Sequence, residues 1–566
     1  MKTSSRFFVG FGDRLVSVIT KVSRPGLATV LLVSVLMGCA PRLDINPSLD
    51  IPDAQSVKNV DDLNQVLTSA YASIASKYFL GASLKVWPDV ISDQIVINPA
   101  SPYALKETDI ANRRFNASDS LIILAWEQGY RAVNLSNQVI DKVQNGGLSG
   151  EAFTRNRDRI LGEAYFIRAV ALFELVRFFA PAYTSSTANQ LAIPMPLSPS
   201  TVRENPPIPT LDQLYQQVKQ DLSTAATLLP FRYSTTTAKS GSFSVFGNAT
   251  GAAAKAYLAK VCFQQGGSNE QQALQAINET IGTVDSLVDG QYYPENFPMV
   301  GSNTRDIGPG AAYSNYGVVG RGSYAAFATP NNEFPEVIFN IMNRGDQDFS
   351  REIFYRYTYD LTLAGTNPRY LLSDTFRLRN FTLSTDARFA YYTGGVTKYN
   401  GNRFCIQKWF NSSPTFNVIV IRSAELVLSR ARIHFNLAQQ TTDPTLRQQY
   451  LTKALHDMFY VKKKSRRLTT GAARPLDNLN YCYTNARIPN NNAFETLLDQ
   501  ELNRERQREL FGEGDRLHDI RRQGLTVISG NGQRGSENIP DYNLPLEKSI
   551  LPIPISETAI NASLNR

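Results

Sequence analysis

The chain has 566 residues, 42% hydrophobic and 10% aromatic, with a formal net charge of +8 and only four cysteines and three histidines. That profile excludes a disordered chain, and four scattered cysteines exclude a disulfide scaffold. Residues 1–38 hold five Lys/Arg and one Asp, which leaves about +4 on the rest, too little to argue for nucleic-acid binding.

Lys2, Arg6, Arg14, Lys21 and Arg24 precede an apolar run from Leu27 to Gly38 that stops at Cys39. A run of about 12 residues is short for a bilayer crossing and fits the core of a signal peptide. Leu36, Gly38 and Cys39 fall at −3, −1 and +1 of a site that resembles a bacterial lipobox, where cleavage frees a cysteine for acylation. Several acyl chains, at about 0.8 kcal/mol per buried CH₂, would anchor the protein firmly. Ala40 to Ala54 carries Pro and Asp and reads as an extended tether. The expected division is a lipoprotein signal peptide over 1–38, an acylated tether over 39–54 and a single body over 55–566. Within the body, 55–290 reads as helical and 291–566 as loop-rich with closing helices. No later run reaches 18 apolar residues, so no other segment is expected to span a membrane.

Helical periodicity dominates the first half. Val60–Ser76 opens with Asp61 or Asp62 as its N-cap. Asp119–Val143 places Leu124, Trp126, Tyr130, Val133, Asn137 and Ile140 at helical intervals. Glu151–Phe179 is apolar enough in its second half to be a central buried helix. Leu211–Leu229, Gly247–Gln265 and Glu270–Val288 follow. Small residues in NATGAAAKAYLAKV permit close helix contact. Paired helices of this texture look like tetratricopeptide-type hairpins, although no strict 34-residue repeat recurs. The fold class is therefore mainly α, with helical hairpins, long loops and a few short strands.

Asp289 to Phe334 is rich in Gly, Asn, Pro and Tyr and reads as loops, after which Pro335–Met342 reads as a strand. Loop aromatics suit a sugar ligand, because flat rings cover the C–H face of a pyranose while Asn, Asp and Arg bond its hydroxyl rim. Trp87, read as lying between helices, has Asp93 and Asn98 close by. Tyr292, Tyr293, Tyr313, Tyr316 and Tyr324 accompany Asn315 and Arg321 in the long loop region. These ten residues are the ligand-binding candidates; the rival reading packs each aromatic onto its own helix layer. Trp126 and Trp409 sit in regular elements and read as core.

Catalytic constellations are poor. Lys255 is four residues past Gly251 rather than adjacent, so GNATGAAAK is no phosphate loop. Gly317–Gly322 is not G-x-G-x-x-G, and no G-x-S-x-G elbow occurs. Paired carboxylates for glycoside hydrolysis stay open, since such partners can be far apart in sequence. His434, His456 and His518 form no ligand spacing, so no metal site or cofactor is expected. Cys262, Cys405 and Cys482 read as buried small residues, with one bridge as the alternative.

The most ordered charge pattern lies in Leu497 to Gly524. Glu501, Glu505, Glu509 and Glu513 recur every four residues and stack on one helix face. Arg504 and Arg508 sit beside them and Arg506 lies on another face, Gly512 and Gly514 suit a helix stop, and Asp515, Arg516, Asp519, Arg521 and Arg522 follow. Arginine forks in register with carboxylates indicate an interlocked ion-pair network rather than catalysis, since arginine holds the acids ionised.

The run Glu505-Arg506, Glu509-Leu510, Glu513-Gly514, Arg516, Asp519, Arg522, Gly524 resembles the C-terminal signature of the SusD/RagB family of outer-membrane nutrient-binding lipoproteins. GEAYFIRAVALFELVRFFAP, NATGAAAKAYLAKVCF, PEVIF, DAR (Asp386–Arg388), QKW (Gln407–Trp409), Val418–Phe435 and LPIPISETAIN are similar to further segments of that family. Departures are Arg432 where the family carries Glu, Phe459 and Lys462 where it carries Asn and Arg, and Ala562 in place of Pro. The resemblance implies a mostly helical body with tetratricopeptide-like units. It implies capture of an oligosaccharide or peptide and delivery to a TonB-dependent, SusC-like outer-membrane barrel, without catalysis. A lipid-anchored outer-membrane location, facing outward, goes with it. A secreted or anchored glycoside hydrolase and a helical protein-interaction scaffold are the rival readings.

Overall fold

Apolar residues at helical spacing give a series of helices, several opened by side-chain caps, each packed on its neighbours. The structure, a computed structural model, describes residues 57–98, 101, 107–200, 206–233, 247–283, 336–342, 352–353, 368–381, 388–389, 398–399, 403–406, 408–409, 416–465, 492–525, 527–528, 533–534, 537–538, 543–544 and 546–564. Helix α1 (Val60–Ala75) begins at Asn59, whose side chain accepts from the Asp62 N–H at 3.0 Å. Asp62 accepts in return from the Asn59 N–H at 3.2 Å. The cap is thus Asn59 rather than Asp61 or Asp62, and Asp62 is its reciprocal partner in a capping box.

The stretch around Trp87, expected between helices, is itself a helix, α2 (Ser83–Ile91), and every residue in it is buried. Pro88 hid it from sequence reading, because proline within a run signals a break. Here Pro88 removes the N–H that would bond the Leu84 carbonyl, and α2 ends shortly after, at Ile91. Strand β1 (Ile95–Ile97) follows.

Helix α3 (Ser120–Asn145) is capped by Asp119, which accepts from the Leu121 N–H at 2.8 Å. Helix α4 (Glu151–Phe179) has its predicted bounds, and from Ile160 onward all but Tyr165 are buried. At the α3–α4 crossing, a Cβ on Gly129 would lie 2.8 Å from the Leu175 side chain, which would have to shift to admit it. Helices α5 (Leu211–Leu228), α6 (Gly251–Gln265) and α7 (Glu270–Ile281) continue the series. Helix α6 starts at Gly251 rather than Gly247, because Thr250 caps it by accepting from the Ala253 N–H at 3.0 Å. Helix α7 stops at Ile281, seven residues before the expected end, where Gly282 takes the C-cap.

Each helix packs on the next: α1 on α3, α3 on α4, α4 on α5, α5 on α6 and α6 on α7. The fully buried alanines 252, 253, 254 and 256 let α6 lie close to its neighbours. Asn137, in the buried stripe of α3, donates to the carbonyls of Pro196 and Ser198 at 3.0 and 3.1 Å. Tyr130 and Asn134 bond Pro194 and Ser200 in the same way, so three side chains of one helix hold an extended, proline-rich strap by its backbone.

In the second half, β2 (Val337–Ile341), β3 (Tyr370–Leu372), α8 (Asp374–Asn380) and β4 (Val418–Arg422) precede α9 (Ser423–Gln440), α10 (Pro444–Ser465), α11 (Asn492–Glu509) and α12 (Arg516–Arg522). Strand β2 pairs antiparallel with β4 and β1 with β3. Helix α9 packs on α7 and α10, and α11 packs on both α9 and α10 around Phe435, Leu451, Met458, Leu498 and Leu502. Val57–Arg566 forms one compact unit. Cys262 and Cys405 are buried free thiols, each pushed up to about 12 by burial, and Cys482 lies outside the described residues. Trp126 and Trp409 are core, at 3% and 1% exposure.

Candidate functional site

The four-residue spacing of Glu501, Glu505 and Glu509 places them on one face of α11, and Glu513 follows in the turn. Cations from three distant segments meet them. Arg388 donates to Glu505 at 2.7 and 3.1 Å and to Glu509 at 2.9 Å. Arg422, at the end of β4, donates to Glu509 at 2.8 Å and to Glu513 at 2.9 and 2.6 Å. Lys408 donates to Glu513 and to the carbonyls of Glu509 and Phe511, the last two at 2.8 and 2.9 Å. Signs alternate along Glu505, Arg388, Glu509, Arg422, Glu513 and Lys408. Lys462 extends the series to Glu501 at 3.1 Å, and Arg508 bridges Glu501 and Glu505.

Burial sets the electrostatics. Desolvation alone would raise the Glu505 and Glu513 carboxyls, but their cations override it and hold both down at about 2. Arg388 is the main opposing charge for Glu505, and Arg422 with Lys408 for Glu513. Burial pulls Lys408 down to about 8 in spite of Glu513 and Glu509. Oxygens bonded this way cannot deliver a proton near neutrality, so these glutamates act as a clamp.

A second layer surrounds the turn. Arg506 grips Asp515 with two bonds at 2.8 and 2.6 Å, and Arg522 donates to Asp519 at 2.9 Å. Both guanidiniums face the Phe263 ring, at 5.1 and 4.2 Å from its centre. Gly512 and Gly514 hold φ of +76° and +77°, and a Cβ on Gly514 would lie 2.6 Å from the Lys85 carbonyl. The Gly514 N–H donates to Asp89 at 3.3 Å. Arg516 donates to Asp93 at 2.9 and 3.1 Å, so the turn docks on α2 and the segment after it.

The ligand candidates separate. Trp87 is 0% exposed and packs edge-on against Phe178 at 6.4 Å, which corrects its expected place in an open inter-helix segment. Asp93 and Asn98 are buried too. Asp93 is held by Arg516, and the Asn98 amide donates to the Pro368 carbonyl at 2.8 Å. The corrected reading is that these three support the interior. Tyr292, Tyr293, Tyr313, Asn315, Tyr316, Arg321 and Tyr324, like Cys39, lie outside the described residues.

Sequence reading saw the glutamate ladder but assigned no role to its cations. Arg388, Lys408 and Arg422 stand in DAR, QKW and VIVIR, three of the segments already singled out by resemblance. Their convergence on one helix is the signal that was present without its geometry. Two departures from the family also find acidic partners on α11: Arg432 donates to Asp499, and Lys462 to Glu501. Among the described residues, no group of three His, Cys, Asp or Glu side chains could hold a metal ion, and no helix is long and apolar enough to cross a membrane.

Residues 43–263 match a family described as starch-binding, associating with the outer membrane. No curated protein sequence matches the chain. Among solved structures, a SusD superfamily protein from Bacteroides thetaiotaomicron is 20% identical, with a TM-score of 0.66 over 89% of this chain and 98% of its own. One from Bacteroides vulgatus is 18% identical, with a TM-score of 0.67 over the same shares, 89% and 98%. Surface glycan-binding protein A from Bacteroides uniformis is 17% identical, with a TM-score of 0.59 over 89% and 98%. Residues 43–263 are thus similar to that starch-binding, outer-membrane-associated family, and most of the chain shares the fold of these SusD superfamily structures.

Proposed function

We propose that this protein is a cell-surface, lipid-anchored binding protein that captures an oligosaccharide and passes it to a SusC-like, TonB-dependent outer-membrane barrel without altering it. The observation that carries the reading is the match of residues 43–263 to a starch-binding, outer-membrane-associated family. The glycan-binding neighbour from Bacteroides uniformis supports the ligand class. Cys39 supplies the anchor, and the aromatic and polar residues of 292–324 supply the ligand surface. The absence of catalysis is supported by the clamp, whose glutamates are bonded to arginine and lysine and, at Glu505 and Glu513, held ionised. A peptide ligand is the second reading; it requires the same loops to bond an extended backbone.

The test uses the full chain expressed in an outer-membrane host. Calorimetry against a panel of oligosaccharides and peptides, with product analysis of each mixture, is expected to show saturable binding of one glycan class and unchanged ligand. Detergent extracts are expected to co-purify a large β-barrel, and Cys39→Ala is expected to move the protein out of the membrane fraction. Turnover of any bound oligosaccharide sinks the reading in favour of a hydrolase. Binding to neither ligand class, with no barrel recovered, favours the scaffold.

A further inference from the structure

One acid at the clamp has a side chain without a hydrogen bond among the described residues. Glu336, just before β2, is 0% exposed, and among the described residues neither of its carboxylate oxygens has a hydrogen-bond partner. Its nearest cation is Arg422, at 3.8 Å, beyond hydrogen-bonding reach. That guanidinium is directed elsewhere: Nε to Glu513, Nη1 to Glu509, and Nη2 to Glu513 and the Glu509 carbonyl. Lys408 directs its ammonium to Glu513 and to the carbonyls of Glu509 and Phe511. From the opposite strand end, the Ser423 N–H donates to the Glu336 carbonyl at 2.9 Å, and the buried Ser423 hydroxyl also lacks a partner. The groups facing Glu336 are therefore two engaged cations, Arg422 and Lys408, and two carboxylates, Glu509 and Glu513.

An ionised carboxylate with no hydrogen bond in a buried site is costly, and two neighbouring carboxylates raise the cost. A neutral acid at the same position avoids most of it. We propose that Glu336 sits in the clamp as a neutral carboxylic acid at mildly acidic pH, and that the hold of the closing turn on β2 weakens as pH rises to neutrality and that proton is lost. The electrostatics agree: burial first, then Glu509 and Glu513, push the Glu336 carboxyl up to about 7 against the pull of Arg422 and Lys408. Because the folded value lies above the ordinary 4.5, the stabilising contribution is complete below 4.5 and declines as pH rises to about 7. Above that it is level. The clamp thus carries a proton as one of its parts, and the carboxylate that holds it is reached by no solvent.

The experiment compares the unfolding equilibrium of the whole chain with that of Glu336→Gln between pH 4.5 and 8. Glutamine reproduces the size of the neutral acid and does not titrate. The expected result is similar stability at the acid end and a widening gap toward pH 7. By pH 8 the natural protein's unfolding constant should have risen roughly 100-fold relative to the variant's. Glu336→Met, neutral and of like length, should behave the same way. A stability difference that stays constant with pH overturns the proposal. So does failure of both variants to fold, because a site that demands a charge cannot accept either neutral side chain.

Discussion

Arg516 grips Asp93 through two bonds, at 2.9 and 3.1 Å, across 423 residues of sequence. Arg516 is held at its other side by Asp519, and desolvation of Asp93 is overcome by the guanidinium, which keeps its carboxyl below the ordinary range. The pair fastens the C-terminal turn to the N-terminal layer. Asp93→Ala leaves a nearly buried guanidinium with its main partner gone, a change that costs about 3–5 kcal/mol in other buried pairs. Denaturant titration is expected to show a lower midpoint for Asp93→Ala and a smaller loss for the double variant with Arg516→Met, since removing both charges leaves neither uncompensated. Additive losses, with the double variant losing as much as Asp93→Ala and Arg516→Met together, would show that the two side chains do not act as a pair.

Acid should dismantle the clamp. Glu505 and Glu513 are held at about 2 in the folded protein against an ordinary 4.5, so their contribution is complete above 4.5 and is lost as pH falls toward 2. Each supplies on the order of 3 kcal/mol. Urea midpoints measured at steps between pH 6 and pH 2.5 are expected to fall steeply below about pH 4.5. Glu505→Gln should be less stable at pH 6 and should flatten that fall, while parallel curves for the two proteins would remove Glu505 from the account.

How much of this was legible in the sequence depends on whether the relevant physics is local. The bounds of α4 were readable because its apolar run and its Ala180-Pro181 end are contiguous. The α1 cap slipped by two or three residues because Asn59 and Asp62 share the motif, and only geometry tells which side chain opens it. Helix α2 was missed because Pro88 breaks the local pattern, while burial on every side makes the helix worth keeping. The glutamate ladder was visible as a spacing, yet its partners Arg388, Lys408 and Arg422 come from loci 87 to 121 residues away. No periodicity reports such a pairing.

Gly512 and Gly514 share a left-handed backbone but differ in what surrounds them. An alanine Cβ at Gly512 would meet nothing nearer than Trp409 Nε1 at 3.7 Å, an ordinary contact. At Gly514 it would lie 2.6 Å from the Lys85 carbonyl, a backbone atom that cannot step aside without moving α2. Gly512→Ala should therefore cost about 1 kcal/mol from conformation alone, and Gly514→Ala distinctly more. Thermal unfolding of the two variants decides. Equal shifts would show that the contact with α2 yields easily.

Fold and ligand recognition should part at the aromatics. Trp87 is enclosed by its own layer, and its indole N–H has no partner among the described residues. Trp87→Ala should cost about 3–5 kcal/mol through the cavity it opens. Trp87→Phe should cost much less, since no hydrogen bond is lost and part of the ring volume stays. Neither change should alter glycan affinity in protein that remains folded, because the side chain presents no surface. Tyr313 and Tyr316 are expected to behave in the opposite way, since a tyrosine that stacks on a sugar contributes to binding without holding the core. Tyr313→Ala with Tyr316→Ala should weaken oligosaccharide binding at least tenfold, about 1.4 kcal/mol, with an unchanged unfolding midpoint. Calorimetry and denaturation on the same samples separate the two effects. If Trp87→Phe abolishes binding while the tyrosine variants leave it intact, the ligand surface lies at α2, and α2 must open to expose it.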